Sequence, residues 1–163
     1  MAIGLTSIAN NGVATTGTIS VETTGTVSAT GSNSVGIYAW ADTTSTDGTA
    51  SEGDISINVR SGSVTGGTGT GSGVRIDGSG NNTLINSGNI SALSNLAIFG
   101  GDGAEAVANS GLVIGNVDLA GGTNRFTNEV GNTFRTLAYA NVGTLTNHGD
   151  RASLRPRLKA CRD

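Results

Sequence analysis

Short stretches of alternating apolar and polar residues recur along the chain, separated by segments rich in glycine, asparagine, serine and threonine. In residues 54–59 the side chains of Ile55, Ile57 and Val59 fall on one face of an extended strand, and polar residues fall on the other. Glycine and asparagine tolerate the positive φ angles that tight corners between strands require. The pattern predicts many short β-strands, each with one buried face.

The first half of the chain repeats itself at an offset of 37 residues, because residues 23–39 align without gaps with residues 60–76. The alignment places Gly25 on Gly62, Val27 on Val64, Gly36 on Gly73 and Ile37 on Val74. In the second half a signature of apolar residue, spacer, asparagine, spacer and glycine recurs. Its asparagines, at positions 86, 109, 128 and 147, are spaced by 23, 19 and 19 residues.

A unit of about 20 residues with three to five apolar side chains cannot form a core alone, but stacked units can. The repeats therefore predict an all-β fold, a parallel β-solenoid of about seven coils over residues 1–150, with serine and threonine ladders outside. A β-sandwich is the alternative, although it would need hairpin turns and a larger aromatic core. A disordered linker is a third interpretation, which the regular spacing of apolar residues disfavours.

Residues 42–53, in which Ala50 is the one apolar residue, are predicted to form a projecting loop.

Composition excludes several other classes of protein. Glycine, threonine, serine and asparagine make up half of the 163 residues, and charged residues are 13%, against the ~25% usual in globular enzymes. Hydrophobic residues are 36% and the net charge is −3, which argues against disorder. No apolar run approaches the ~18 residues of a membrane span, and the N-terminus does not read as a signal peptide.

The C-terminal segment 151–163 differs from the preceding residues. Residues 1–150 contain four Arg, no Lys and eleven Asp or Glu, a net charge of −7, whereas residues 151–163 carry +4 and the only Pro, Lys and Cys. A basic interaction tail is one interpretation. Translation out of frame is the favoured one, because the repeats stop where the composition changes. The absence of cysteine from residues 1–150 suits an exported bacterial protein. Cys161 is interpreted as an unactivated thiol rather than a nucleophile.

The run Gly-Thr-Val-Ser-Ala-Thr-Gly-Ser-Asn-Ser-Val-Gly-Ile-Tyr-Ala of residues 25–39, and residues 109–128, resemble the passenger repeats of bacterial autotransporters. The resemblance covers about residues 8–150. It implies a right-handed parallel β-helix displayed at the cell surface, carried by a C-terminal outer-membrane β-barrel, and acting in adhesion or autoaggregation. Because neither a signal peptide nor a barrel pattern is recognisable, we expect an internal segment of a passenger, exposed at the cell surface or extracellular as part of the longer protein. Contact with a membrane is expected only through that missing barrel.

An enzymatic alternative rests on a few charged residues. Some β-helices cleave polysaccharides with carboxylates and basic side chains, and stacking could bring Asp54, Arg60, Arg75 and Asp77 to one face. The only histidine, His148, lies in an Asn-x-Gly corner, and no nucleophile elbow accompanies it. Scattered solubilising charges are the favoured interpretation, so no catalytic residue and no enzymatic activity are predicted.

Candidates for ligand binding are few. Residues 100–107 match one degenerate copy of a calcium-binding nonapeptide, with Asp102 and Glu105 as the acidic positions, but no tandem copy follows. We therefore expect no metal and no cofactor. The acidic body with few aromatic residues disfavours nucleic acid. Tyr38 and Trp40 suit a core or end-cap position better than an exposed contact with a sugar or protein.

Taken together, the residues and the resemblance predict a non-enzymatic, adhesin-like passenger segment. Its expected partners are a host surface protein, a glycan, or another copy bound through the uncapped ends of the solenoid. The alternative function is a carbohydrate-active β-helix, a polysaccharide lyase or hydrolase.

Overall fold

The computed structural model of the chain describes residues 1–9, 12–136 and 138–153, which form eighteen β-strands and no helix. The strands are Ala2–Ala9 (β1), Val13–Thr15 (β2), Ile19–Thr23 (β3), Thr26–Ser28 (β4), Ile37–Ser45 (β5), Thr49–Ser51 (β6), Ile55–Val59 (β7), Ser63–Gly66 (β8), Val74–Asp77 (β9), Asn81–Asn86 (β10), Asn89–Phe99 (β11), Ala104–Asn109 (β12), Leu112–Asp118 (β13), Arg125–Asn128 (β14), Thr133–Thr136 (β15), Tyr139–Ala140 (β16), Thr144–Asn147 (β17) and Asp150–Ser153 (β18). The all-β prediction is confirmed. None of the described residues belongs to a helix long and apolar enough to cross a membrane.

The strands pair in parallel within two curved sheets and one small pair. The first sheet has ten strands, with β1, β5, β9, β11, β13, β15 and β18 as its main order; β4, β8 and β16 pair alongside. The second sheet has the order β17, β14, β12, β10, β7, β3, and β2 pairs with β6. Consecutive strands of the chain thus alternate mostly between the sheets, and each strand pairs with its counterpart one repeat away.

The intervals between repeats in the sequence equal the separations between paired residues of neighbouring strands. In the first half, Val27 pairs with Val64 and Ile37 with Val74, which is the offset of 37 residues. In the second half the four signature asparagines are successive partners, Asn86 with Asn109, Asn109 with Asn128, and Asn128 with Asn147. Equivalent residues of successive repeats therefore lie next to one another, so identical side chains can interact across strands.

Among the described residues, one cluster of buried apolar side chains contains residues from both sheets. Ile55, Ile57 and Val59 are fully buried, as their alternation predicts. Near the C-terminal end, the rings of Phe126 (β14) and Phe134 (β15) join the two sheets, with centroids 4.6 Å apart. The core is thus supplied mainly by the inward-facing side chains of the strands in the two large sheets.

The prediction of a projecting loop over residues 42–53 is wrong. Strand β5 continues to Ser45 because residues 42–45 pair with β1, and Thr49–Ser51 pairs with β2. These pairings are made by the backbone, which needs no apolar side chain, and most side chains of the segment remain exposed.

The first three residues of the predicted basic tail belong to β18, which pairs with β15. The rest of the tail, residues 154–163 with Pro156, Lys159 and Cys161, lies outside the described residues.

Candidate functional site

The asparagine signature forms a continuous row of side-chain amides along the second sheet. The Nδ2 of Asn86 donates to Oδ1 of Asn109, Asn109 donates in the same way to Asn128, and Asn128 to Asn147, each over 2.7 Å. The Oδ1 atoms of Asn86 and Asn109 also accept the backbone N–H of the glycine two residues later. The Asn-x-Gly signature is therefore a corner motif, and its role is structural.

A second row of polar side chains crosses the same strands near their N-terminal ends, whereas the asparagine row lies at their C-terminal ends. The Nδ2 of Asn82 donates to Oε1 of Glu105 over 3.0 Å, and the backbone N–H of Glu105 donates to Oδ1 of Asn124 over 2.8 Å. Glu105 thus occupies a position that carries asparagine in the repeats on either side. Its side chain is buried, and Oε2 has no hydrogen-bond partner among the described residues.

Burial raises the pKa of the Glu105 carboxyl above its usual value of 4.5, and the negative charge of Asp102 adds to this effect. Hydrogen bonds from Asn82 and from backbone groups oppose the shift without cancelling it. The two acidic residues of the calcium-like nonapeptide therefore lie in different surroundings, because Asp102 is exposed. Within the described part of the chain, no three His, Cys, Asp or Glu side chains gather closely enough to hold a metal ion.

We expect Glu105→Gln to stabilise the protein at neutral pH by about 1 kcal/mol, because it removes a charge from the interior and retains an oxygen for Asn82. The pKa of Glu105 is higher in the folded chain, so the folded state binds more protons between the unfolded and folded pKa values. The free energy of unfolding of the native protein should therefore fall as the pH rises through that interval.

Urea unfolding at several pH values checks this expectation. The advantage of Glu105→Gln should be complete above the folded pKa and vanish below about 4.5, the usual pKa of a glutamate. A variant that is less stable than the native protein at pH 7 would show that the ionised carboxylate is favourable in the fold. Glu129→Gln, on a half-buried side chain outside this row, is the matched control.

Aromatic and charged side chains meet on the first sheet. Tyr38 (β5) pairs with Arg75 (β9), and Arg75 pairs with Phe99 (β11). The Arg75 guanidinium carbon lies 5.2 Å from the Tyr38 ring centroid and 5.1 Å from that of Phe99. These distances are typical of cation–π contacts.

Asp77 completes this arrangement. Its Oδ2 accepts hydrogen bonds from the Tyr38 hydroxyl over 2.7 Å and from Nε of Arg75 over 2.9 Å, and Nη2 of Arg75 lies 2.8 Å away. Burial raises the pKa of Tyr38, as do its hydrogen bond to Asp77 and that carboxylate's charge, whereas Arg75 opposes the shift. The tyrosine therefore remains a hydrogen-bond donor well above neutral pH.

Trp40 lies next to Tyr38, with ring centroids 5.0 Å apart and planes tilted by 31°. A Cβ atom added to Gly4 would overlap Cε2 of Trp40, so the indole rests directly on the backbone of β1. Tyr38 and Trp40 are only half-buried, and neither belongs to the apolar core cluster. Of the predicted core or end-cap position, the core part is wrong, because both side chains project from the outer face of the first sheet.

These rings border an open groove of about 490 Å³, which we call the acidic groove. Its lining includes the aromatic side chains of Tyr38, Trp40 and Phe99. Four carboxylates also line it, those of Asp42, Glu52, Asp77 and Asp102. No arginine or lysine is among the described residues that line it. Arg75 balances only Asp77, so the groove combines aromatic faces with three carboxylates that are not ion-paired to any described cation.

Two of the predicted charged residues lie elsewhere. Asp54 precedes β7 in the second sheet and accepts the backbone N–H of Asn81 over 2.8 Å. Arg60 follows the other end of β7 and pairs with Glu22 over 2.8 Å, with both side chains exposed. About 20 Å of extended strand separates positions 54 and 60. The convergence of these residues with Arg75 and Asp77, on which the enzymatic alternative depended, is therefore not present.

The sequence reasoning missed Asp42, Glu52 and Phe99 as groove residues. The first two fell in the segment that was predicted to be a loop. The row containing Glu105 had a readable signal, because Asn82, Glu105 and Asn124 are spaced by 23 and 19 residues, the same intervals as the signature asparagines.

Comparison of the chain with protein-family profiles, curated protein sequences and solved structures finds no significant match.

Proposed function

We propose that this chain is a non-enzymatic display module, a right-handed parallel β-solenoid of about seven coils of the kind seen in autotransporter passengers. In this role it presents its outer faces at the cell surface for adhesion or self-association. The observation that carries the proposal is the row of four asparagines, one from each successive repeat, joined by side-chain hydrogen bonds. Such a row requires repeats that stack in the same way each time.

The outer surface supports this proposal. Ser28 pairs with Thr65, and Thr65 with Ser91, so hydroxyl side chains follow one another across the first sheet. The hydroxyls of Thr65 and Ser91 lie 3.4 Å apart. Short polar side chains in register strengthen the stack and keep this row of the surface hydrated. A stack in which each repeat contacts mainly its neighbours can also be lengthened without a new core, which suits a structure that must reach away from a cell.

The display role is tested by placing residues 1–153 between a cleavable signal peptide and an autotransporter barrel in a bacterial host. We expect the segment to be exposed to added protease at the cell surface, and the cells to aggregate or adhere more than cells carrying the barrel alone. Retention inside the cell, or exposure without any gain in aggregation or adhesion, would contradict the proposal. A fusion with Phe126→Asp, which places a charge in the core, controls for the need for a folded segment.

A carbohydrate-active β-helix is the second candidate, and one observation favours it. The acidic groove offers aromatic faces beside the carboxylates of Asp77 and Asp102, and glycoside hydrolysis uses a pair of carboxyl groups. Against it, Oδ2 of Asp77 is occupied by Tyr38 and Arg75. A panel of polysaccharides assayed for new reducing ends or unsaturated products separates the two. Products that disappear with Asp102→Asn would establish the enzyme, and we expect no products.

A further inference from the structure

The acidic groove has an imbalance of charge that the chain itself does not correct. The carboxylates of Asp42 and Asp102 accept no hydrogen bond from the described residues, and Oδ1 of Asp77 accepts none either. Glu52 is held by the backbone N–H of Ser79. The nearest cation, Arg75, is committed to Asp77. A ligand that enters the groove therefore meets acceptors and negative charge, which disfavours any anion.

The carboxylates are dispersed around the groove. As noted, no three acidic, histidine or cysteine side chains of the described residues come together as a metal site would require. Hard cations such as Ca²⁺ need six to eight oxygen ligands at a single point. The groove, at about 490 Å³, is instead of a size that accommodates an organic ligand.

Two aromatic rings of the first sheet already bind a guanidinium group. The Arg75 guanidinium lies between Tyr38 and Phe99 and is balanced by Asp77. Trp40, two residues after Tyr38 on β5, offers a ring of the type that attracts cations most strongly, and no described cation lies over it. Its indole is held in place by the β1 backbone at Gly4, so little ordering is needed on binding.

From these contacts we infer that the acidic groove binds a basic peptide segment of a partner protein, with an arginine or lysine side chain seated over Trp40. The carboxylates of Asp42 and Asp102 balance the charge of that side chain and of its basic neighbours. The inference deepens the proposed display function, because it names the class of partner that the displayed surface recognises. It rests on that function only for its biological setting, since the binding reaction needs no export.

The test is a titration of the purified full chain into a fluorescein-labelled nine-residue peptide of alternating glycine and arginine, followed by fluorescence anisotropy at low salt. We expect saturable binding that weakens as salt is added. Trp40→Leu should weaken it about tenfold, because it removes the ring and keeps an apolar side chain. Asp42→Asn and Asp102→Asn should each weaken it about threefold to tenfold. Circular dichroism verifies that each variant is folded.

The matched control is Glu129→Gln, which changes the net charge equally at a position outside the groove. It should alter the affinity less than about twofold, as expected of a charge remote from the groove. Equal weakening by Glu129→Gln and Asp102→Asn would mean non-specific attraction and would overturn the inference. An affinity unchanged by Trp40→Leu would also overturn the inference. The same holds if neutral cellohexaose or chitohexaose binds in a manner that depends on Trp40 and the peptide does not bind. A failure of surface display in the cell experiment would leave this result standing, so the two proposals fail separately.

Discussion

Replacing Asn109 by alanine should lower the free energy of unfolding by about 3 kcal/mol, because it breaks the buried asparagine row at its centre. Asn109 is fully buried. Its Oδ1 accepts hydrogen bonds from Asn86 and from the N–H of Gly111, and its Nδ2 donates to Asn128. Alanine leaves those partners without Asn109 in a part of the molecule that water does not reach, and an unpaired buried polar group costs about 1–3 kcal/mol.

Urea unfolding followed by circular dichroism measures this loss. Asn81→Ala is the control, because Asn81 is exposed at the start of β10 and its side chain makes no hydrogen bond within the described structure. That substitution should change the free energy of unfolding by less than about 0.5 kcal/mol. If the two variants lost equal stability, the row would contribute nothing specific to the fold.

Phe126→Ala should cost about 4 kcal/mol of unfolding free energy, because it removes one of the two phenylalanine rings that join the two sheets. Phe126 and Phe134 are buried, and their rings, contributed by β14 and β15, lie 4.6 Å apart. The substitution combines the loss of apolar burial with a cavity that the surrounding backbone, held in parallel ladders on both sides, cannot close.

The matched control for the core substitution is Val130→Ala, since Val130 follows β14 and is 76% exposed. It should cost less than about 0.5 kcal/mol in the same unfolding assay. In addition, Phe126→Ala and Phe134→Ala should be non-additive, with a coupling of about 0.5–1.5 kcal/mol for a contacting aromatic pair. Additive losses would show that the rings do not pack on each other.

The parallel pairing of the strands was predictable, because equivalent residues of successive repeats lie next to one another. An asparagine that donates to the same residue of the next repeat must recur at the spacing of the repeats, so the intervals 23, 19 and 19 record the register directly. The alternation around Ile57 identified the buried face for a similar reason, since successive side chains of a strand point to opposite sides. The segment 42–53 escaped prediction because its strand pairing depends on the backbone, and its side chains carry no apolar signal.

The acidic groove was only partly predictable. The offset of 37 residues that aligns Val27 with Val64 also pairs Tyr38 with Arg75 and Trp40 with Asp77. The repeat therefore predicts that three groove residues and the adjacent Arg75 lie together. Phe99 does not follow, because β11 pairs with β9 at a shorter separation of 24 residues. Asp54 and Arg60 were grouped with these residues by charge alone, whereas they flank a strand of the other sheet.

The most direct test of the stacked arrangement, on which both proposals depend, is nuclear magnetic resonance of the side-chain amides in isotope-labelled protein. We expect nuclear Overhauser effects between the Nδ2 protons of Asn86 and Asn109, and between those of Asn109 and Asn128, because their amide groups are hydrogen-bonded at 2.7 Å. These protons should also exchange slowly with solvent, since all three side chains are buried. Fast exchange at these positions, or contacts from Asn109 to other partners, would contradict the parallel register and with it the display function.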